Sequence, residues 1–417
     1  MNQGTVYVIG AGLAGLSAAV EIARQGRKVE LIESANQAGG RCRSYFDSTL
    51  GRTIDNGNHL ILSGNHATFE YLRILGAQDA LIGPNRAEFT FADLKSKKRW
   101  TITPNDGPLA WWVLSKNRRV PNTKASDYLG MAGLMFANKR QRVQDAMKCE
   151  GTLWDRLLDP FLLAALNIRP QLGSAALAGA IVRETLAKGG KHYYPRIADP
   201  HLASALVDPA LSYLKAKGAT VRMGQRVRKL TMSEDRITGF DVGEETQLGT
   251  KDSLILAVSP WVAAELLPGL KTPNEFTAIV NAHYLVTPPP GLPAIIGVLG
   301  GTAQWVFAFS DRVSVTVSGA DQLVDLDRES LAATLWADVA SVHGLSPELP
   351  PWQIVKEKRA TFAATPEQDA RRPNPATQFG NLVLAGDWVQ TGLPATIEGA
   401  VRSGQKAAKL VLSRQFV

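Results

Sequence analysis

Gly10, Gly12 and Gly15 stand in G-x-G-x-x-G spacing, and Glu33 follows 18 positions after the third glycine. Residues of these types at this spacing can hold a dinucleotide. The first glycine permits a tight turn, the second lets the backbone approach a pyrophosphate, and the third lets helix and strand pack closely. An acid at that distance accepts hydrogen bonds from an adenosine ribose. About 370 residues later stands NLVLAGDWVQTGLPATIEGAVRSG. In it Gly386 and Asp387 end an apolar run, and Asp387 suits the hydroxyls of a ribityl chain. Thr396 and Ile397 then open a helix whose N-terminus can stabilise negative charge on a reduced ring. Two such segments point to a flavin held from both ends, and so to redox chemistry. Neither contains a cysteine that could attach the flavin here through a thioether, so the FAD is expected to be non-covalent.

Elements must position these groups. Thr5–Ile9 is a short β-branched run, the profile of a buried parallel strand, and Ala14 to Gln25 has helical character. Val29–Ile32 reads as the next strand and ends at Glu33. In the middle, ATVRMGQRVRK and DRITGFDV read as successive strands, and DSLILAVSP as another buried one. The cofactor domain is therefore discontinuous: residues 1–65, 195–270 and 370–417. The intervening 66–194, expected to be helical, and 271–369, expected to be mixed, would form the substrate domain. The expected fold class is α/β, a Rossmann-like FAD-binding domain with an inserted α+β substrate domain.

The chain has 417 residues, enough for two or three domains with real cores. No stretch approaches the ~18 consecutive apolar residues of a membrane span. The N-terminus lacks a secretory pattern, and Cys42 and Cys149 are the only cysteines, so a cytoplasmic location is expected. No clustered His/Cys spacing is present, and no metal site is expected. The net charge of +8 permits an acidic partner. In the absence of an RNA-binding signature or zinc finger, that partner is expected to be a membrane surface rather than nucleic acid.

After Glu33 comes SANQAGGRCRS, a second glycine pair with Arg41 and Arg43 behind it. This resembles the amine oxidase and phytoene desaturase superfamily of flavoproteins. The likeness implies that Gly39 and Gly40 pack near the pyrophosphate and that Arg41 reaches the cofactor. It also implies that Val227 lies against the adenine. The segments GRTIDNGNHLILSGN, LLAALNI and GDWVQTGLPATIEGAVRSG are similar to the hydroxysqualene dehydroxylases of hopanoid and squalene biosynthesis. That likeness implies a reductive dehydroxylation of hydroxysqualene to squalene, with reduced FAD giving hydride to an allylic cation after loss of water. The reductant for the flavin is unidentified. The same flavin site also serves carotenoid-type desaturases and amine oxidases in the opposite direction, and isoprenoid-binding escort proteins are a non-enzymatic alternative.

The resemblance brings the DNGNH segment near the flavin ring, making Asp55 and His59 the candidate catalytic pair. Two readings stand for them: a direct proton role, or ties that hold the loop and cofactor. Tyr193 and Tyr194 are the reserve set, with aromatic faces that could stabilise a cation. The apolar WDRLLDPFLLAALNI segment offers Phe161, Leu162, Ala165 and Leu166 as lining residues. Burying a thirty-carbon isoprenoid is worth about 20 kcal/mol at ~0.8 per methylene, so such a substrate must be collected from a bilayer. Trp111 and Trp112 with Lys116, Arg118 and Arg119, and FADLKSKKRW (91–100), have the composition of a membrane-facing mouth. The other reading of these two segments is a helical hairpin with buried tryptophans and a solvated charged face. The protein is thus expected to be peripheral on the inner face of the cytoplasmic membrane.

Overall fold

The computed structural model describes residues 4–413. Five parallel strands form the first sheet, in the order Thr220–Arg222, Lys28–Ile32, Thr5–Ile9, Ser253–Leu256, Leu382–Leu384. Except at the edge strand Thr220–Arg222, their apolar runs are buried on both faces, as a parallel sheet covered by helices requires. The helix Leu13–Arg24 covers one face together with the C-terminal helix Ile397–Ser413. These two helices meet at Gly404, where a Cβ would lie 2.1 Å from the Ala14 carbonyl oxygen. A buried hydrogen bond from Ser17 Oγ to the Val401 carbonyl, 3.0 Å, locks them. Segments from the start, middle and end of the sequence therefore share one sheet.

The second sheet has seven strands, in the order Trp352–Phe362, Phe276–Tyr284, Val313–Ser318, Trp305–Ala308, Ile295–Leu299, Phe89–Asp93, Lys98–Ile102. All neighbours are antiparallel except Ile295–Leu299 beside Phe89–Asp93. Strand alternation gives this sheet two faces. Val280, Ala282 and Tyr284 point to the helix Arg328–His343, and the Tyr284 and Trp336 rings lie 5.0 Å apart. Asn281 and His283 point the other way, toward the loop after Ile54.

The expectation that 66–194 is helical is corrected at residues 89–102. FADLKSKKRW is not a helical hairpin: it belongs to a β-hairpin on the edge of the large sheet. The alternation around Phe89, Phe91, Trp100 and Ile102 has period two, and Lys97 turns at φ 54°. Trp100 is buried, stacked on Phe91 at 5.7 Å. Beyond the hairpin the segment runs through short helical turns to the helices Asp159–Leu166 and Ala175–Glu184. Leu162 and Leu166 belong to its core, with Phe161 packed against them. Among the described residues, no helix is long and apolar enough to cross a membrane.

Candidate active site

The three N-terminal glycines sit at the end of the central strand for three separate reasons. Gly10 has φ 103°, and a Cβ there would lie 2.4 Å from the Ala257 carbonyl oxygen of the neighbouring strand. Gly15 packs its Cα against the turn, where a Cβ would fall 1.8 Å from the Gly10 oxygen. Gly12 is the N-cap of the first helix, no side chain caps that helix, and a Cβ on Gly12 would meet nothing within 4 Å. Uncapped first-turn amides facing open space are the donor set that a pyrophosphate requires.

Around this turn the expected cofactor residues converge. Glu33 accepts hydrogen bonds from the Ala11 amide (2.7 Å) and the Ala35 amide (2.9 Å), which hold its carboxylate beside the glycine turn. The Glu33 carbonyl in turn accepts the Gln225 amide, bringing Val227 to the same end of the sheet. Val227 lines a cleft of about 270 Å³ with Arg226, Arg228, Val262, Glu265 and Leu266. Gly39 and Gly40 both have left-handed backbone, φ 106° and 55°. The Gly39 amide donates to the Ala11 carbonyl, so the second glycine pair stacks on the first. Arg41 reaches across to the other end of the sequence. One guanidinium nitrogen donates to the Ala360 carbonyl and another to Asp387 Oδ1, 2.6 and 2.7 Å, while 43% of the side chain stays accessible. Arg43 donates to the Gly40 carbonyl.

The C-terminal segment is built as tightly. Gly386 has φ 150°, and a Cβ there would strike the Trp388 ring, whose Nε1 donates to the Val258 carbonyl. Thr396 Oγ1 accepts the Gly399 amide at 3.0 Å, capping the helix that begins at Ile397. The loop between them rests on Arg372, to which no sequence motif drew attention. This buried guanidinium donates to the carbonyls of Asp387, Val389 and Leu393, to Thr391 Oγ1, and to Asp369. The two terminal nitrogens of the guanidinium, with four N–H groups between them, serve all five oxygens. An open glycine turn at a helix start, an acid beside it, a second acid at the far end of the site and a capped helix end are features that fit FAD. Among the described residues, no group of His, Cys, Asp and Glu could hold a metal.

The DNGNH loop crosses between the two sheets. Asp55 is buried and accepts Ser44 Oγ (2.5 Å) and the Leu202 amide (2.9 Å), with Arg312 at 4.0 Å. Burial raises its pKa, against the lowering effect of these donors. The Asp55 carbonyl lies 3.0 Å from His283 Nε2, whose other ring nitrogen is 2.8 Å from Ser314 Oγ. Asn281 Nδ2 donates to the Asn56 carbonyl, and its Oδ1 accepts the Asn58 amide at 3.4 Å. His59 has no hydrogen-bond partner among the described residues. Burial first, and then the Arg41 charge, pull its pKa down to about 4. Its imidazole is therefore neutral at pH 7.

Of the reserve aromatics, Tyr193 is buried and stacked on Phe89 at 6.3 Å, and burial raises its pKa. Tyr194 hydrogen-bonds Asp106 at the surface. Trp112 is buried against Tyr128 rather than presented outward, whereas Trp111 is exposed. Asn281 and His283 escaped the sequence reading. Their signal was two polar residues at period two within an apolar strand, FTAIVNAHY.

Known proteins share this arrangement. The model of the family described as flavin containing amine oxidoreductase matches residues 13–412. The chain is 54% identical to a hydroxysqualene dehydroxylase of Rhodopseudomonas palustris over 98% of both chains. It is 52% identical to one of Sinorhizobium fredii, again over 98% of each. Among solved structures, a putrescine oxidase variant superposes with a TM-score of 0.72 at 18% identity, covering 99% of both chains. That last likeness supports the fold. With a family match spanning nearly the whole chain and both halves of the cofactor site in place, this protein is a flavin enzyme of the amine oxidoreductase family.

Proposed function

We propose that the chain is a hydroxysqualene dehydroxylase, converting hydroxysqualene to squalene with FAD as the non-covalent redox cofactor. The carrying observation is the 54% identity to a protein of that name over 98% of both chains. When bound, reduced FAD supplies the two electrons and the hydrogen that replace the hydroxyl. The residues of the chain do the rest. The Gly10–Gly15 turn and the first helix bind the pyrophosphate, Glu33 the ribose and Asp387 the ribityl hydroxyls. Gly39, Gly40 and Arg41 close the site over the turn, and the Thr396-capped helix end at Ile397 faces negative charge on the ring. Val227 meets the adenine.

Departure of the hydroxyl as water takes up one proton, which the second hydrogen of FADH2 would balance beside its hydride, and leaves an allylic cation, so the site must exclude bulk water and orient the leaving group. We assign His59 to that orientation, as a neutral imidazole hydrogen-bonding the leaving oxygen. Asp55 is a positioning residue: its carboxylate already serves Ser44 and Leu202, and its backbone is held by His283. Phe161 and Ala165, next to the core residues Leu162 and Leu166, are assigned to the wall of the isoprenoid pocket, with Tyr193 and Tyr194 beyond the loop. The substrate partitions into bilayers, and the enzyme works at a membrane surface on the cytoplasmic side.

Anaerobic incubation with chemically reduced FAD and hydroxysqualene in detergent tests the reaction. Squalene is the expected product; no product alongside dehydrogenation of a polyene would overturn the reading in favour of a desaturase. His59→Ala should retain flavin and lose at least about tenfold in turnover. Asp55→Asn should lower turnover together with flavin occupancy. Wild-type turnover in either variant removes that residue from its role.

A further inference from the structure

We infer that the surface around Leu109, Trp111, Leu114, Leu129 and Phe136 is the docking face for an anionic lipid bilayer. This rests on the proposed function, which requires a bilayer-borne substrate. These five side chains are 54% to 86% exposed. Half of the ten exposed large hydrophobics among the described residues thus fall within 28 residues, too concentrated for scattered surface apolars.

The segments that carry them are joined. The Trp112 and Tyr128 rings meet edge to face at 5.3 Å beneath Trp111 and Leu129. Leu129, Ala132 and Phe136, spaced three and four apart along one helical run, lie on one exposed side. The Arg118 guanidinium covers the Trp111 ring at 4.6 Å, an amphipathic pair of the kind found at headgroup depth.

Charge identifies the occupant. Residues 103–142 contain seven Lys and Arg against two Asp. Of these, Lys116, Lys124, Lys139 and Arg140 make no ion pair among the described residues. A second copy docked about a two-fold axis would bring this basic surface against itself, whereas anionic headgroups neutralise it. A chain of hydrogen bonds links the face, through Asn105 Nδ2 to the Leu109 carbonyl, to the loop that follows His59. The Gly190 amide donates to the Asn105 carbonyl, and Tyr194 Oη donates to Asp106. The Tyr194 amide donates to Ser63 Oγ, four residues past His59.

The test is co-sedimentation of the FAD-loaded protein with vesicles of phosphatidylcholine alone or with about 30% phosphatidylserine. We expect at least about tenfold tighter binding to the anionic vesicles, weakening as salt is raised. In the triple variant Leu109→Ser, Leu114→Ser, Phe136→Ser, binding should fall about tenfold while flavin content stays at the wild-type level. Equal binding by wild type and variant, or none by wild type, overturns the proposal. So does a dimer in size exclusion that the triple variant abolishes, which would make this a self-association face. Failure to form squalene in detergent would sink the reaction assignment and leave the vesicle result standing, so the two failures can be told apart.

Discussion

Gly12 and Gly15 are one helical turn apart, yet the structure makes opposite demands of them. A methyl at Gly15 would sit 1.8 Å from a backbone oxygen, while one at Gly12 would stand in open space. Gly15→Ala should therefore lose the soluble fold, whereas Gly12→Ala should keep its circular dichroism and lose FAD affinity by about tenfold or more. Equal flavin content in Gly12→Ala and wild type would mean that the pyrophosphate lies elsewhere. His283 carries a pH prediction. Burial, and then the Arg312 charge, lower its pKa to about 4, below the ordinary value of 6.5. Between those values the unfolded chain binds a proton that the folded chain does not, so stability is complete above pH 6.5 and falls as pH drops toward 4. This one residue is worth roughly 2 kcal/mol between pH 6.5 and 5. His283→Asn should make that part of the melting-temperature profile shallower, while His59 and His343, also lowered to about 4, keep their share; an unchanged profile would exclude His283 as a contributor. Gly10, Gly12 and Glu33 were legible because their spacing alone carries the geometry. His283 and Arg372 were not, since a single buried polar residue gains meaning only from the carbonyls that folding brings to it.

Elements show the same division. The strand–turn–helix after Thr5 was readable because apolar run, glycines and helix follow one another locally. The Phe89–Ile102 hairpin was misjudged because a cluster of lysines at its turn mimics an amphipathic surface, while its alternation matters only once Phe91 lies against Gly297. A Cβ on Gly297 would fall 2.6 Å from the Phe91 ring. The loop from Asp387 to Leu393 hangs on a single guanidinium. Arg372→Met would strand Asp369 and several buried carbonyls, and should cost about 3–5 kcal/mol with parallel loss of flavin. A melting temperature within a degree of wild type would show that the loop holds itself. Gly404→Val should separate the first and last helices, because the added carbon meets the Ala14 oxygen at 2.1 Å.

At the scale of the molecule, the parallel sheet takes strands from three distant stretches of sequence, and the middle stretch is legible from DSLILAVSP, an apolar run like those at the two ends. A chain stopped at residue 369 lacks the Leu382–Leu384 strand and the partner of Arg41. It should bind no FAD and expose the Ser253–Leu256 edge, and a yellow, soluble fragment would contradict the shared-sheet account. The Arg41–Asp387 ion pair also orders events in time. On a translating ribosome, Arg41 emerges hundreds of residues before the carboxylate that it grips. The flavin pocket lacks that wall until the late segment arrives, so the complete set of cofactor contacts can form only once synthesis is nearly finished.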